Sequence, residues 1–310
     1  MIPLTEIFCC IDDFCKFFMN LTSTKALSNE KKRQRPSQMH LSEIMTILIM
    51  FHLSHYKTFK DFYKQCIEKE YKKYFPKMVS YNRFIEIEQN AFMPLVIFML
   101  IFRGKETGKY FVDSTKLPVC QNLRIPAHKV FKDFAKRGKT STGWFFGFKL
   151  HLIINDQGEI MSFHLTAGNV DDRKPLDLLT RGLKGWLCGD KGYIGKELKE
   201  KLKSKGIELI TKIKKNMRKT VLEPFQKFML SKRSLIETII GQLKIKFTMS
   251  HSRHRSNINF QINVLAALVA YVFMPNKSSV SFRDINGLGE KMATLDVADL
   301  EKKMMMLTSN

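Results

Sequence analysis

The sequence predicts a mixed α/β domain preceded by an all-α segment. In the first hundred residues, apolar side chains recur at helical spacing. Near Gly104 this pattern changes to short apolar runs separated by turn residues. The order that follows is strand, long insertion, hairpin, helix, strand, helix, strand, helix, with no internal repeat. Such an order is typical of a mixed sheet with flanking helices.

The N-terminal segment, residues 1–103, is predicted to be a helical domain that binds DNA. One helix begins near Leu41, with Ser42 placed to cap it, and a second covers 59–74. A third follows the candidate N-cap Ser80. Helices with basic and aromatic surfaces are typical of helix-turn-helix modules. A helical packing or dimerisation domain has the same pattern, so both interpretations stay open.

The second segment, residues 104–275, is predicted to be the catalytic domain. Asn155 to Gly158 has the composition of a hairpin turn between two strands. Residues 276–310 are polar and are predicted to be a C-terminal tail. The other predicted elements are strands at 110–113, 145–155, 160–166, 186–188 and 207–213, and helices at 175–183, 195–205, 225–247 and 258–273.

The charge of the chain indicates a nucleic-acid partner. Lys and Arg number 52 against 29 Asp and Glu, a formal net charge of +23. Neutralising phosphates releases counterions, so nucleic acid is the default partner of such a surface. Ribosomal, chromatin and membrane-surface proteins share this charge. No two of the six cysteines have CxxC spacing, which argues against a zinc ribbon or a redox motif.

The apolar segments predict a soluble intracellular protein without a membrane partner. The longest apolar run, 91–102, is too short to span a bilayer alone. Near the N-terminus, Asp12 and Asp13 interrupt the apolar stretch that a signal peptide would need.

Three carboxylates are candidates for metal-dependent phosphoryl transfer. Asp113 closes an apolar strand, and Asp190 follows the short strand that ends in Gly189. Glu237 lies within an apolar helical stretch. Two-metal chemistry needs acidic ligands that converge on the ions, and Mg²⁺ prefers carboxylates and water. Each carboxylate also has a simpler interpretation: Asp190 as a turn residue, and Glu237 as the partner of Arg233 in a surface ion pair.

Basic side chains surround these carboxylates in the sequence. Arg233, Glu237 and Lys244 fall on one face of the predicted helix 225–247. Further candidate phosphate contacts are Arg253 and Arg255, which follow that helix, and Lys149, which is on a strand and points to the same face as His151. Trp144 fits either a buried core indole, the commoner case, or a ring that stacks on a displaced base.

Four segments together resemble the DDE transposases of bacterial insertion sequences, whose catalytic domain has a ribonuclease H-like fold. They cover nearly half of the chain. The segments are Tyr110 to Thr115, Gly143 to His151 followed by Ala167 to Asp172, Gly189 to Tyr193, and Arg233-x3-Glu237-x6-Lys244.

The resemblance implies that Asp113, Asp190 and Glu237 bind Mg²⁺ or Mn²⁺, as two ions. It implies that Arg233 and Lys244 contact DNA near the element end. Many relatives have a Tyr three residues before this Arg, and here the position is Leu230, so a phosphate contact by a Tyr is not carried over.

The expected activity is metal-dependent cleavage of double-stranded DNA at insertion-sequence ends, followed by strand transfer into target DNA. A homodimer or larger assembly in the bacterial cytoplasm, associated with the nucleoid, is expected. Two alternatives stay open: a domesticated, non-catalytic DNA-binding protein, and a ribonuclease H-like nuclease without strand transfer.

Overall fold

The computed structural model describes residues 3–23, 38–141, 143–212, 222–250 and 254–278. The chain forms two compact units. The first, here the helical unit, contains Met1–Phe102 and Ile245–Pro275. The second, here the sheet unit, contains Arg103–Lys244 and a short segment that starts at Asn276.

Ten α-helices and six strands lie in the described ranges. The helices are α1 Leu4–Ser23, α2 Leu41–Leu53, α3 Phe59–Asp61, α4 Tyr81–Ile87, α5 Phe92–Ile101, α6 Leu176–Leu179, α7 Lys196–Ser204, α8 Pro224–Ser231, α9 Ser234–Ile245 and α10 Asn257–Val272. A π-helix covers Phe62–Glu70, and 3₁₀ turns cover Lys72–Tyr74, Glu88–Ala91, Asn122–Arg124 and Lys191–Tyr193. The strands are β1 Lys109–Cys120, β2 Lys136–Thr140, β3 Gly143–Asn155, β4 Ile160–Ala167, β5 Gly185–Gly189 and β6 Ile207–Thr211.

In the helical unit, α10 is the central helix. It packs against α2 and α5 and is buried almost all round, as its apolar sequence predicts. The sequence-based division assigned it to the catalytic domain, and the structure corrects this: residues 245–275 belong to the helical unit. The first unit ends at Phe102, one residue before the predicted boundary.

The longest apolar helical stretch of this unit is part of its core. The helical stretch Tyr81–Ile101 is long and apolar enough to cross a membrane, but 56% of its most apolar window is buried inside the protein. Such burial is what a core helix shows. Ser80 caps α4 as predicted, accepting a hydrogen bond from the backbone N–H of Arg83. Ser42 does not cap α2, because the helix starts one residue before it and the cap position is His40.

The sheet unit has a mixed sheet in the order β2-β3-β1-β5-β6, with β4 also paired to β3. Strands β1, β3 and β4 are antiparallel neighbours, whereas β1, β5 and β6 are parallel. The predicted hairpin joins β3 to β4, and Gly158 in its turn has a φ of 72°. This mixed sheet with flanking helices confirms the predicted ribonuclease H-like fold class.

Four predicted elements of this unit differ from the structure. The strand predicted at 110–113 extends from Lys109 to Cys120, so Asp113 lies within it and does not close it. The helix predicted at 175–183 is shorter, and the single helix predicted at 225–247 is two helices, α8 and α9. Near Lys232 the chain closes i to i+3 hydrogen bonds, from Leu235 to Lys232 and from Ile236 to Arg233, and this tightens the turn that separates them. The basic insertion before β3 contains a strand, β2, that the polar sequence did not predict.

Candidate active site

Asp113 lies on the central strand β1, directly opposite Leu152 of β3. Successive side chains of a strand point to opposite faces. Val112 therefore points into the apolar core that Leu176, Leu179 and other residues form on one face, and Asp113 points to the other. Its side chain is 24% exposed, and its Oδ1 accepts a hydrogen bond of 2.8 Å from the backbone N–H of Ser114.

Strand pairing brings Asp190 beside Asp113. Strands β1 and β5 run parallel, with Phe111 paired to Cys188. Two residues further along this register, Asp113 in the middle of β1 and Asp190 just past the end of β5 come next to each other. A Cβ on Gly189 would lie 3.0 Å from the ring of Tyr193 and 3.1 Å from Val112 Cγ1. Glycine at this position lets the turn after β5 close tightly, and the Asp190 side chain is left exposed.

Glu237 and Arg233 approach the same face of the sheet from α9. Ile236, Ile239 and two further apolar residues bury one side of this helix. Arg233 precedes the first helical residue, and its Nη2 donates to Glu237 Oε1. Its Nη1 lies 3.9 Å from Asp113 Oδ2. The break between α8 and α9 therefore keeps the predicted Arg–Glu pair and adds a contact with Asp113.

Burial and neighbouring charges set the pKa of Asp113. The pKa is raised to about 6, chiefly by burial; the Ser114 N–H and Arg233 lower it, and the charges of Asp190 and Glu237 raise it by smaller amounts. Asp190 and Glu237 therefore lie within electrostatic range of Asp113. The Arg233 guanidinium contacts both Asp113 and Glu237.

The donor set fits a hard divalent cation by its chemistry. Carboxylate oxygens are the ligands that Mg²⁺ prefers, and a cation at Asp113 would stabilise the ionised form that burial disfavours. Across the described ranges, however, no three His, Cys, Asp or Glu side chains are already placed together as a metal site. Arg233 lies between Asp113 and Glu237 instead.

Lys149 is on the opposite face of the sheet. It pairs with Lys116 of β1, as His151 pairs with Ser114, and directly opposite residues of an antiparallel pair share a face. Its ammonium group donates to Val170 O at 2.9 Å and to Asp172 Oδ1 at 3.0 Å. Lys149 is only 8% exposed. These contacts are internal and give no support to the predicted DNA contact of Lys149.

His151 lies in the same buried polar group as Lys149 and Asp172. Its Nε2 lies 2.8 Å from Thr166 Oγ1, and its Nδ1 lies 3.9 Å from Asp172 Oδ1. The pKa of His151 is lowered to about 4, chiefly by burial and by smaller effects of Lys149 and His164, against the opposing effect of Asp172. The imidazole is therefore neutral at pH 7.

The remaining predicted DNA contacts lie in different places. Lys244 is at the end of α9, and burial lowers its pKa, with a further contribution from Lys116. Lys116 was not among the predicted site residues, because only the fold brings it within electrostatic range of Lys244. Arg255 is exposed just before α10, in the helical unit. Arg253 lies outside the described residues.

Trp144 differs from its expected core position. Its side chain is 61% exposed, so the buried-indole interpretation is wrong. Lys139 Nζ lies 5.6 Å from the centre of its ring. The signal for this exposure in the sequence was the run of basic residues before Trp144. Such a run is typical of an edge strand that faces solvent.

The fold and the carboxylates define a ribonuclease H-like domain with its acidic residues on the central strands and a covering helix. The family model described as Transposase DDE domain matches residues 103–257, half of the chain. The chain belongs to this family and is a transposase. No curated protein and no solved structure matches the chain.

Proposed function

We propose that this transposase is catalytically active. It cleaves DNA at the ends of its insertion sequence and joins the freed 3′-hydroxyl to target DNA. Asp113, Asp190 and Glu237 hold the divalent ions, Mg²⁺ or Mn²⁺. The observation that carries the proposal is the convergence of these three side chains on one face of the sheet, around Arg233.

The charge balance of this face supports a cation-dependent reaction. Three carboxylates face one guanidinium, and DNA phosphates would add further negative charge. Two-metal sites activate the attacking hydroxyl and stabilise the leaving oxygen. The chain itself orients Asp113 through the Ser114 N–H and holds Glu237 through Arg233. No nucleophilic side chain is needed, since water or a DNA hydroxyl attacks the phosphorus.

The DNA itself is bound by the basic surface of the chain. The formal net charge of +23 favours a double-stranded polyanion. Lys244 and Arg233 contact the element end, and Arg253 and Arg255 contact neighbouring phosphates. The helical unit recognises the end sequence. The active form is a homodimer or larger assembly, because two ends are cut, and it acts in the bacterial cytoplasm at the nucleoid.

The test is cleavage of labelled linear DNA that carries the element end, with Mg²⁺ or Mn²⁺. Asp190→Asn and Glu237→Gln remove one candidate ligand charge each, and Glu200→Gln, an exposed position on α7, is the matched control. We expect metal-dependent nicking by the wild type and the control, and none by the two site variants.

Other results would select the alternatives. End binding by a folded wild-type protein that never nicks DNA would favour a non-catalytic DNA-binding protein. Nicking without any joined product would favour a nuclease that lacks strand transfer. Equal nicking by Asp190→Asn and the wild type would exclude the proposed triad.

A further inference from the structure

A cavity of about 790 Å³ opens in the helical unit, and all of its lining residues belong to this unit. Residues of α2, α3 and α4 and the first turns of α10 line it. This volume is in the range of small-molecule sites, about 300–1,000 Å³. The DDE chemistry makes no use of these residues.

The floor of the cavity contains polar groups without partners. Glu88 is 5% exposed, and within the described ranges its carboxyl group makes no hydrogen bond or ion pair. Burial raises the pKa of Glu88 to about 8. Asn259 donates through Nδ2 to Ile85 O at 3.1 Å, which fixes its amide, and its buried Oδ1 has no partner among the described residues. Buried polar groups are normally satisfied, so such a floor indicates a missing ligand.

The wall and the rim of the cavity have different chemistry. Phe59 and Tyr81 line the wall with aromatic rings, 6.3 Å apart between centroids. Lys60 and Arg255 are exposed lining residues that supply positive charge. Of the exposed acidic lining residues, Glu86 pairs with Arg83, and Asp61 accepts a hydrogen bond from Thr58. The Tyr81 hydroxyl lies within electrostatic range of both Glu88 and Arg255, so the floor and the rim meet near this ring.

We propose that this cavity binds one nucleotide. The base lies against the aromatic wall with its polar edge at Glu88 and Asn259, and the phosphate lies at Lys60 and Arg255. The Asn259 Oδ1 is an acceptor that needs an N–H donor, and the protonated Glu88 carboxyl both donates and accepts, so the site favours bases whose exocyclic amino group supplies two N–H donors: adenine, cytosine and guanine. Thymine offers only its ring N3–H and binds more weakly.

The nucleotide is either free or an unstacked residue of DNA, and both present the same chemistry. Neither source depends on cleavage. The site therefore stands apart from the proposed activity, and its test is a binding measurement on the full chain.

Calorimetric titration with dAMP, dCMP, dGMP and TMP tests the base preference. We expect TMP to bind at least about tenfold more weakly than the best of the other three, the effect of one or two lost hydrogen bonds. Glu88→Leu removes both hydrogen-bonding oxygens of the side chain and should weaken the best nucleotide by about tenfold. Glu70→Gln, an exposed position outside the cavity, should leave the affinity unchanged.

Two further measurements distinguish a free nucleotide from DNA as the ligand and control for misfolding of the Glu88 variant. Arg255→Gln changes an exposed residue and should lower nucleotide affinity without disturbing the core. A DNA duplex with one extrahelical base is compared with a fully paired duplex. A Glu88-dependent preference for the extrahelical base assigns the site to DNA, and a base preference seen only with mononucleotides assigns it to a free nucleotide.

Three results would overturn the proposal: TMP binding as tightly as the other nucleotides, no binding of any of these probes, or equal affinities for Glu88→Leu and Glu70→Gln. A transposase that failed to cleave DNA would leave all of these measurements interpretable. Conversely, an empty cavity would leave the cleavage test unchanged.

Discussion

The two faces of the central sheet carry similar residue types with different charge balances. On one face, Asp113 lies within electrostatic range of Asp190 and Glu237, and Arg233 pairs with Asp113 and Glu237. On the other, Lys149 and Asp172 neutralise each other, and burial keeps His151 neutral. We propose that an added cation balances the carboxylates of the first face.

The difference teaches how to separate a reactive site from a structural one in the same sheet. Excess charge that the fold leaves unbalanced indicates function, because stability alone would not retain it. A buried charge whose partner is present indicates a structural role, although the pair itself adds little to stability. Variants should therefore alter activity on the first face and stability on the second.

The largest effect is expected on the unbalanced face. Asp113→Asn should lower cleavage by roughly 10³-fold or more, because it removes a charge that the reaction requires. The same change should not lower the free energy of unfolding, since Asn has no charge to bury. Nicking rates and urea unfolding of the same preparation measure both. Loss of activity together with loss of folding would contradict the distinction between the faces.

A metal titration tests cation binding by the unbalanced face without a measurement of activity. If Asp113, Asp190 and Glu237 bind Mg²⁺ or Mn²⁺, saturating metal should raise the Tm of the wild type, because the ion binds only the folded chain. Asp113→Asn should abolish the shift, and Glu200→Gln should retain it. An identical shift in all three proteins would show that the metal acts elsewhere.

A third buried carboxyl, Glu88 in the helical unit, has no cation at all. Its pKa is raised from 4.5 to about 8 by burial, so the folded state favours the protonated form. The associated stability is complete below pH 4.5 and is lost as the pH rises through 8, by a few kcal/mol. Glu88→Gln should flatten this part of the pH profile of unfolding.

Other groups around Glu88 do not produce that difference. Arg255 stays charged, and the pKa of Tyr81 is raised above 10.0, outside the window. His52, His254, Lys60, Asp61 and Glu86 also line the cavity and are present in both proteins. Subtracting the two profiles therefore isolates Glu88. Parallel profiles between pH 4.5 and 8 would contradict a buried, unpaired carboxyl.

On the balanced face, we expect a smaller effect, that of Asp172→Asn on the free energy of unfolding. Lys149 would lose an ion pair while its Val170 bond remains, and Asp172 is 33% exposed, so water screens part of the effect. We expect a loss of about 1–3 kcal/mol in the free energy of unfolding. Adding Lys149→Met should recover most of it, because no buried charge is then left unpaired. If Asp172→Asn alone left the free energy of unfolding unchanged, this would mean that Lys149 reaches solvent.

Much of the fold and the three carboxylates could be predicted because their signals are local. An apolar run before Asp113 and a short strand followed by Asp190 indicate strands without any knowledge of the partners, although β1 continues past Asp113 to Cys120. Helical spacing placed Arg233 near Glu237, and this pair is present although the helix is broken between α8 and α9. The order of the elements then predicted the fold class.

What could not be predicted depends on contacts between distant residues. The face of Lys149 follows from the register of β3 on β1, which no local pattern specifies. The break near Lys232 interrupts a sequence whose apolar spacing continues through it. Strand β2 forms where a Cβ on Gly138 would lie 2.1 Å from the Gly168 carbonyl oxygen, a close approach that only the folded chain reveals.

The smallest expected effect is at Trp144, which belongs to neither of the two groups of residues compared above. Its exposed ring lies beside Lys139. Stacking of an unpaired base on an aromatic ring contributes about 1–3 kcal/mol. Trp144→Ala should therefore weaken binding of duplexes with single-stranded ends by about fivefold or more, and blunt duplexes much less. Leu123→Ala, at a side chain that is 94% exposed, is the control. Equal binding of both DNA forms by Trp144→Ala and the wild type would make the exposed ring a feature of the surface without a part in DNA recognition.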